Sequence, residues 1–277
     1  MSAVTTTSPP SGSRITMAVG DGLIVARRNL LGISRVPTVL VFELVQPIMF
    51  VLLFRFIYEN AFAAIPGGDY VQFLIPGIFV QNAIFGSTST AIGLAEDLKK
   101  GIIDRFRSLP MARSAVLIGR TTADLVKNFL LVVVMVVVGY VVGFRFEEGL
   151  LEALGVVVLV MAVGFTFSWI SATIGLAIKQ VEAVQAAIFT LIFPIVFVSA
   201  AFVPVTGMAS FLQPIAAWNP VTFWCELARY WSIGEVALED PGTSWTGQQV
   251  MIGSAIWIVI LLAIFIPLSI RLYRKLT

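Results

Sequence analysis

Residues 130–143 read LLVVVMVVVGYVVG, fourteen positions without a charge and without alternation of apolar and polar side chains. A membrane-spanning strand would alternate over ~10 residues. A chain in lipid must otherwise bond its backbone within its own segment, which leaves the helix. Extended outward, the run becomes a span over 116–143. Five further runs have the same character, at about 38–58, 70–94, 151–178, 184–205 and 250–270. Each supplies the ~20 residues that cross a ~30 Å hydrocarbon core as helix. The expected fold is an all-α integral membrane protein with six transmembrane helices.

Composition agrees. Of 277 residues, 58% are hydrophobic and only 12% charged, against ~25% charged in soluble domains. Histidine is absent, which excludes a Ser-His-Asp or Cys-His dyad and imidazole-bound zinc. The lone Cys225 excludes an intramolecular disulfide and a CxxC site. A net charge of +2 gives no broad nucleic-acid surface. No metal or cofactor is expected on this chain.

The connections carry the orientation. Fifteen of the 18 basic residues fall before the first span, in 99–127, at Lys179 or at the C-terminus. The other side keeps Arg55, Arg145 and Arg229, with Glu59, Asp69, Glu147, Glu148, Glu152, Glu235, Glu239 and Asp240. The positive-inside rule then puts both termini in the cytoplasm of a multi-pass plasma-membrane protein. Residues 1–13 are small, polar and Pro-containing and read as a disordered tail. Over 14–35, Val19, Leu23, Ala26, Leu30 and Ile33 recur at spacings of three and four opposite a basic face, as in a helix lying on the inner leaflet. Residues 206–231 are apolar but broken by Pro214 and Pro220, and rich in Trp and Phe. They read as short helices in the outer leaflet, with a pair of half-spans as the alternative.

The cytoplasmic loop EDLKKGIIDRFRSLPMARSAVLIGR, residues 96–120, is the most informative. Ile102, Ile103, Phe106 and Leu109 form an apolar stripe at helical spacing, and Pro110 ends the helix. The stripe must pack either on the protein's own helix ends or lipid, or on a cytosolic partner that moves.

With LLFRFIYENAF (52–62), YVQFLIPGIF (70–79), GYVVGFRF (139–146) and AAWNPVTFW (216–224), this loop resembles the membrane subunits of ABC type-2 exporters. In particular it resembles the daunorubicin-resistance-type permeases of actinobacteria. The likeness runs over nearly the whole chain after the tail, and DRFRSLPMARSA is its most specific part. It implies an interfacial helix followed by six spans, in a complex of two membrane and two ATP-binding subunits. The second membrane subunit is another copy of this chain or a homologous permease. By the same resemblance, 101–111 is a coupling helix seated in the ATPase, with Gly101, Ile102, Ile103, Arg105, Phe106, Arg107, Leu109 and Pro110 at the contact. The loop 179–183, with Lys179 and Glu182, is a second, smaller contact.

The chain has no GxxxxGK[ST] phosphate loop. ATP and Mg are therefore expected on the partner ATPase subunit, with no ATPase activity of this chain's own. The resemblance implies export of a hydrophobic drug, antibiotic or lipid. An ion-gradient-driven transporter of amphiphiles is the alternative, but neither mid-span carboxylates nor repeated halves support it. An intramembrane enzyme lacks histidine and paired buried carboxylates.

Polar side chains within spans are costly and mark candidate sites. Glu43 and Gln46 in the first span, Gln81 and Asn82 in the second, and Thr190 in the fifth are candidates for the substrate path. Helix packing is the competing role, above all for small hydroxyl residues such as Ser87, Thr88, Ser89 and Thr90. Glu43 is expected to be solvated or paired with Arg35. Arg120, Asp124 and Lys127, spaced four and three residues apart at the cytoplasmic end of the third span, are expected to form a salt-bridge ladder, with a plain solvated extension of the helix below the membrane as the alternative.

Overall fold

A computed structural model describes residues 37–58, 70–101, 115–238, 240 and 242–276. The tail 1–13, the interfacial helix expected over 14–35 and the coupling residues Ile102, Ile103, Arg105, Phe106, Arg107, Leu109 and Pro110 lie outside the described residues.

The chain is helical, and the described residues hold no strand. The helices are α1 (Pro37–Tyr58), α2 (Tyr70–Gly86), α3 (Thr88–Lys99), α4 (Ala115–Val142), α5 (Leu150–Ile178), α6 (Val181–Phe197), α7 (Gln213–Ala217), α8 (Pro220–Ile233) and α9 (Gly247–Leu276). Four stretches among the described residues are long and apolar enough to cross a membrane: Tyr70–Lys99, Leu117–Val142, Leu150–Ile178 and Gly247–Lys275. Val181–Phe197 is apolar but shorter, and α1 has 22 residues.

Local sequence sets the ends. Pro37 opens α1, where a missing N–H costs nothing. Gly143 at φ 112° and Gly149 at φ 122° frame the turn between α4 and α5. Asn219 caps α8 by accepting from Val221 N at 2.9 Å, with Pro220 in the first turn. Between α2 and α3 the sequence GSTST (86–90) interrupts the helix. Ser87, Thr88 and Ser89 donate to the carbonyls of Ile84, Phe85 and Gly86 at 2.6, 2.6 and 3.0 Å. Such back-bonding bends helices.

Two expectations are revised. The fifth apolar run does not stay helical to residue 205: α6 stops at Phe197. The Asn219 amide takes the carbonyls of Ile195 and Val198 at 2.7 and 2.6 Å, and Ser199 takes that of Val196 at 2.6 Å. The terminal carbonyls are thus satisfied by side chains, and the chain turns away. The second revision concerns 206–231. It does contain short helices, but α8 is a buried member of the bundle, packed on α2, α5 and α9. Trp224 and Cys225 are fully buried, while Trp218 is exposed.

The centre is α2, buried at every position from Tyr70 to Ile84. That suits a helix apolar on all sides. α5 packs beside it and contacts α3, α4, α6, α8 and α9. The opposite faces of α1, α4 and α9 expose Val41, Phe56, Val137, Val141, Ile256 and Val259, a surface suited to hydrocarbon rather than water.

The bundle has two distinct ends. At the hairpin end, α3 leads to Gly101 and α4 begins, flanked by the α5–α6 turn and the end of α9. At the cap end, residues 143–149, 198–212, 234–238, 240 and 242–246 gather over α2 and α8.

Candidate functional site

A polar knot lies where α4 crosses the α2–α3 break. Lys127 is 3% exposed in an apolar helix. Its ammonium donates to Glu43 Oε1 of α1 at 3.0 Å, to the Gly86 carbonyl at 3.0 Å and to Ser89 Oγ at 2.6 Å. All three of its donors are used. One turn back, Asp124 accepts from Thr90 Oγ1 and from Ser89 Oγ, the latter at 3.3 Å. Arg120 reaches Asp97 of α3 at 3.4 Å and the Ser89 carbonyl at 3.2 Å.

The expected ladder along α4 is therefore corrected. Arg120, Asp124 and Lys127 do stand together, but each bonds across to α1 or to the α2–α3 segment. The physical reason is the break: it presents free carbonyls and hydroxyls to the cations and to Asp124. Glu43 likewise meets Lys127. Close packing makes room for this. A Cβ on Gly93 would fall inside the Arg120 guanidinium. The Asn128 amide lies between Gly86 and Gly164, and neither of its polar atoms has a partner among the described residues.

Beside the knot is a cavity of about 530 Å³ between α1, the α2–α3 break, α4 and α6. Glu43, Gln46, Asn82, Thr88, Ser89 and Gln185 give it polar wall; Phe85, Ile92, Leu131, Ile188 and Phe189 give it apolar wall. Of the candidate path residues, Glu43, Gln46 and Asn82 line it. Gln81 and Thr190 do not: Gln81 is buried with Oε1 unpartnered, and exposed Thr190 bonds back to the Ala186 carbonyl at 2.9 Å. Thr88 and Ser89, at the start of α3, also line it.

Toward the cap end, aromatic rings follow on the same two helices. Phe202 stacks on Phe50 and Phe54 of α1 at 5.6 and 5.0 Å and meets Phe197 of α6 at 5.2 Å. Its segment is held from behind. Tyr70 donates to the Phe202 carbonyl at 3.2 Å, and the buried Arg229 of α8 donates to the carbonyls of Phe73, Ala200 and Ala201. Arg229 also lies 3.5 Å over the Phe73 ring. Asp240 accepts from Val205 N at 2.7 Å and Gly242 N at 2.9 Å, and is buried. By sequence, Arg229 falls on the outer side, within the short outer-leaflet helices of 206–231; a cation inside an aromatic, apolar segment is the signal for its burial.

At the hairpin end, Lys179 closes α5 in the left-handed region at φ 66°, donating to the Gly175 carbonyl at 3.0 Å. Glu182 lies 4.0 Å from Lys99, both largely exposed. The α5–α6 turn thus adjoins the end of α3, next to Gly101 at φ 65°. The Glu96 carboxylate, 2.8 Å from Lys100, holds that ammonium above the usual lysine range.

The comparisons with known proteins concur on the family. Residues 22–231 match the model of the ABC-2 type transporter family. The chain is 30% identical to a daunorubicin resistance ABC transporter permease protein, DrrB1, of Streptomyces coeruleorubidus, covering 98% of this chain and 96% of that one. It is 26% identical to a probable doxorubicin resistance ABC transporter permease protein, DrrC, of Mycobacterium tuberculosis, over 96% and 93% of the two chains. It is 28% identical to a putative transport permease, ycf38, of Cyanophora paradoxa, over 75% and 72%. The chain belongs to the ABC-2 type transporter family.

Proposed function

We propose that this ABC-2 family member is the permease subunit of an ATP-binding-cassette exporter that moves hydrophobic or amphiphilic compounds out of the cell. ATP and Mg bind to a separate cytosolic ATPase subunit, and a second copy of this chain or a homologous permease completes a two-plus-two complex. The six apolar runs cross the plasma membrane with both termini in the cytoplasm, which makes the hairpin end the cytoplasmic one. The ATPase then docks on 101–111, with Lys179 and Glu182 beside it.

The observation that carries this reading is continuity. The α3–α4 hairpin that bears 101–111 also bears Asp97, Arg120, Asp124 and Lys127, whose contacts end on Glu43 and Ser89 in the cavity wall. Movement of the hairpin has to disturb the cavity, because buried ion pairs hold a few discrete arrangements. The drug-resistance names of the relatives support the substrate class.

The test is co-expression with a candidate ATP-binding-cassette protein from the same genome. The purified pair should hydrolyse ATP, with stimulation by amphiphiles, and the permease alone should not. Phe106→Ala should leave membrane insertion intact and weaken ATPase co-purification roughly thirtyfold, since truncating an aromatic anchor costs ~2 kcal/mol or more. Normal ATPase stoichiometry with poorly expressed Phe106→Ala would instead mean that the stripe packs on its own bundle. Transport that persists without the ATPase and collapses with an ionophore would favour an ion-gradient mechanism.

A further inference from the structure

The charge arrangement around the cavity says which polar ends it accepts. Glu43 is the one formally charged residue among those lining it. Lys127, the cation paired with Glu43, does not line the cavity and has all three donors occupied by Glu43, Gly86 and Ser89. It has no N–H left for a guest. Asp124 adds a second carboxylate behind Ser89. Glu43, Asp124 and Lys127 therefore carry one excess negative charge, and the balanced pair of Arg120 and Asp97 leaves it unchanged.

Acceptor capacity points the same way. Glu43 Oε2 is buried without a partner. Gln46, Asn82 and Gln185 also line the cavity, and their amides bond to nothing among the described residues. The mouth lies between α1 and α6, where Gln46, Gln185 and Phe189 are exposed on the face suited to hydrocarbon. The volume is that of a pocket for one drug-sized molecule.

We infer that this cavity binds single amphiphiles whose polar end is uncharged or singly cationic, with a cation held by Glu43, and rejects the same molecules with an anionic end. This rests on the export reading above and deepens it. An anion entering here meets a carboxylate and, among the described residues, no free cation in the wall, and it also leaves water. An alcohol finds three amides. An ammonium compensates the excess charge.

The test uses the full chain in nanodiscs of zwitterionic lipid and three fluorescent probes that share one tail: 11-(dansylamino)undecanoic acid, the matching undecanol and the matching undecyl-trimethylammonium. The ammonium should bind at least about tenfold more tightly than the carboxylate, with the alcohol between. Tenfold is ~1.4 kcal/mol. Glu43→Gln keeps an oxygen for Lys127 and should remove the preference. Gln185→Lys, at the exposed mouth, should reverse it, and keeps the test decisive if Glu43→Gln folds poorly. Ile92→Trp, which fills the cavity, should weaken all three probes.

Equal binding of carboxylate and ammonium overturns the inference, as does failure of all three probes to bind, or Ile92→Trp binding like the parent. None of these measurements involves the ATPase. A chain that fails to pair with a cassette protein yet shows the charge order refutes the export reading alone.

Discussion

Replacing Lys127 with Met tests the knot most directly. The substitution conserves length but removes the cation, stranding Glu43 with both oxygens unpaired and taking one donor from the Gly86 carbonyl and one from Ser89. Breaking a fully buried pair from one side costs ~3–5 kcal/mol. The Glu43 side chain is 25% exposed, so solvent screens part of that, and the pair contributes about 2 kcal/mol. Gly86 and Ser89 retain a bond to each other at 3.0 Å, which limits their loss to about 1 kcal/mol. The single substitution should therefore destabilise by about 3 kcal/mol. Adding Glu43→Gln removes the stranded charge, and the double variant should sit only about 1 kcal/mol below the parent. Unfolding in mixed micelles followed by tryptophan fluorescence gives all four corners of the cycle. If the two single losses simply add, Glu43 and Lys127 do not interact and the knot is an incidental arrangement of side chains.

Two glycines should separate by what stands opposite them. Gly93→Ala meets the movable Arg120 guanidinium and should cost about 2 kcal/mol through the lost bonds to Asp97 and Ser89. Gly175→Ala meets the Ala91 backbone, forces α3 from α5 and should cost more, read by the same unfolding assay. Phe202→Ala empties a site that is 4% exposed among three neighbouring rings and should lose about 3 kcal/mol, a Phe→Ala substitution in a core; a loss under ~1 kcal/mol would mean the rings do not pack as described. For orientation, a cysteine at exposed Glu235 should react with an impermeant maleimide from outside, and one at Arg105 should not; the reverse pattern would invert the proposed topology. Asp240 is a poor labelling position because it is buried and holds Val205 and Gly242, while buried Cys225 should stay silent.

The helices were legible because their cause is local. Residues 130–143 and 153–178 carry no charge, and α4 and α5 begin and end within a residue or two of the runs read over 116–143 and 151–178. The α6 end was not legible, since its terminal carbonyls are capped by Asn219, more than twenty residues away. Nor was the burial of α8: Trp224 and Trp218 are equally aromatic in sequence, and only packing on α9, where Trp224 donates to the Ser254 carbonyl at 3.3 Å, separates them.

The candidate site divides along the same line. Sequence alone marked Glu43, Gln46 and Asn82 as costly groups in apolar surroundings, because the desolvation penalty of a charge or amide depends on its own segment's composition. It also determined the family resemblance and the hairpin loop. Which groups answer one another was decided by the tertiary structure. The i, i+4 rule favoured partners along α4, but the GSTST break freed carbonyls and hydroxyls on the neighbouring segment, and Lys127, Asp124 and Arg120 turned to them. A helix interior offers no such acceptors; a break facing another helix does, and where that break falls against α4 is a property of the packed bundle, not of either segment alone.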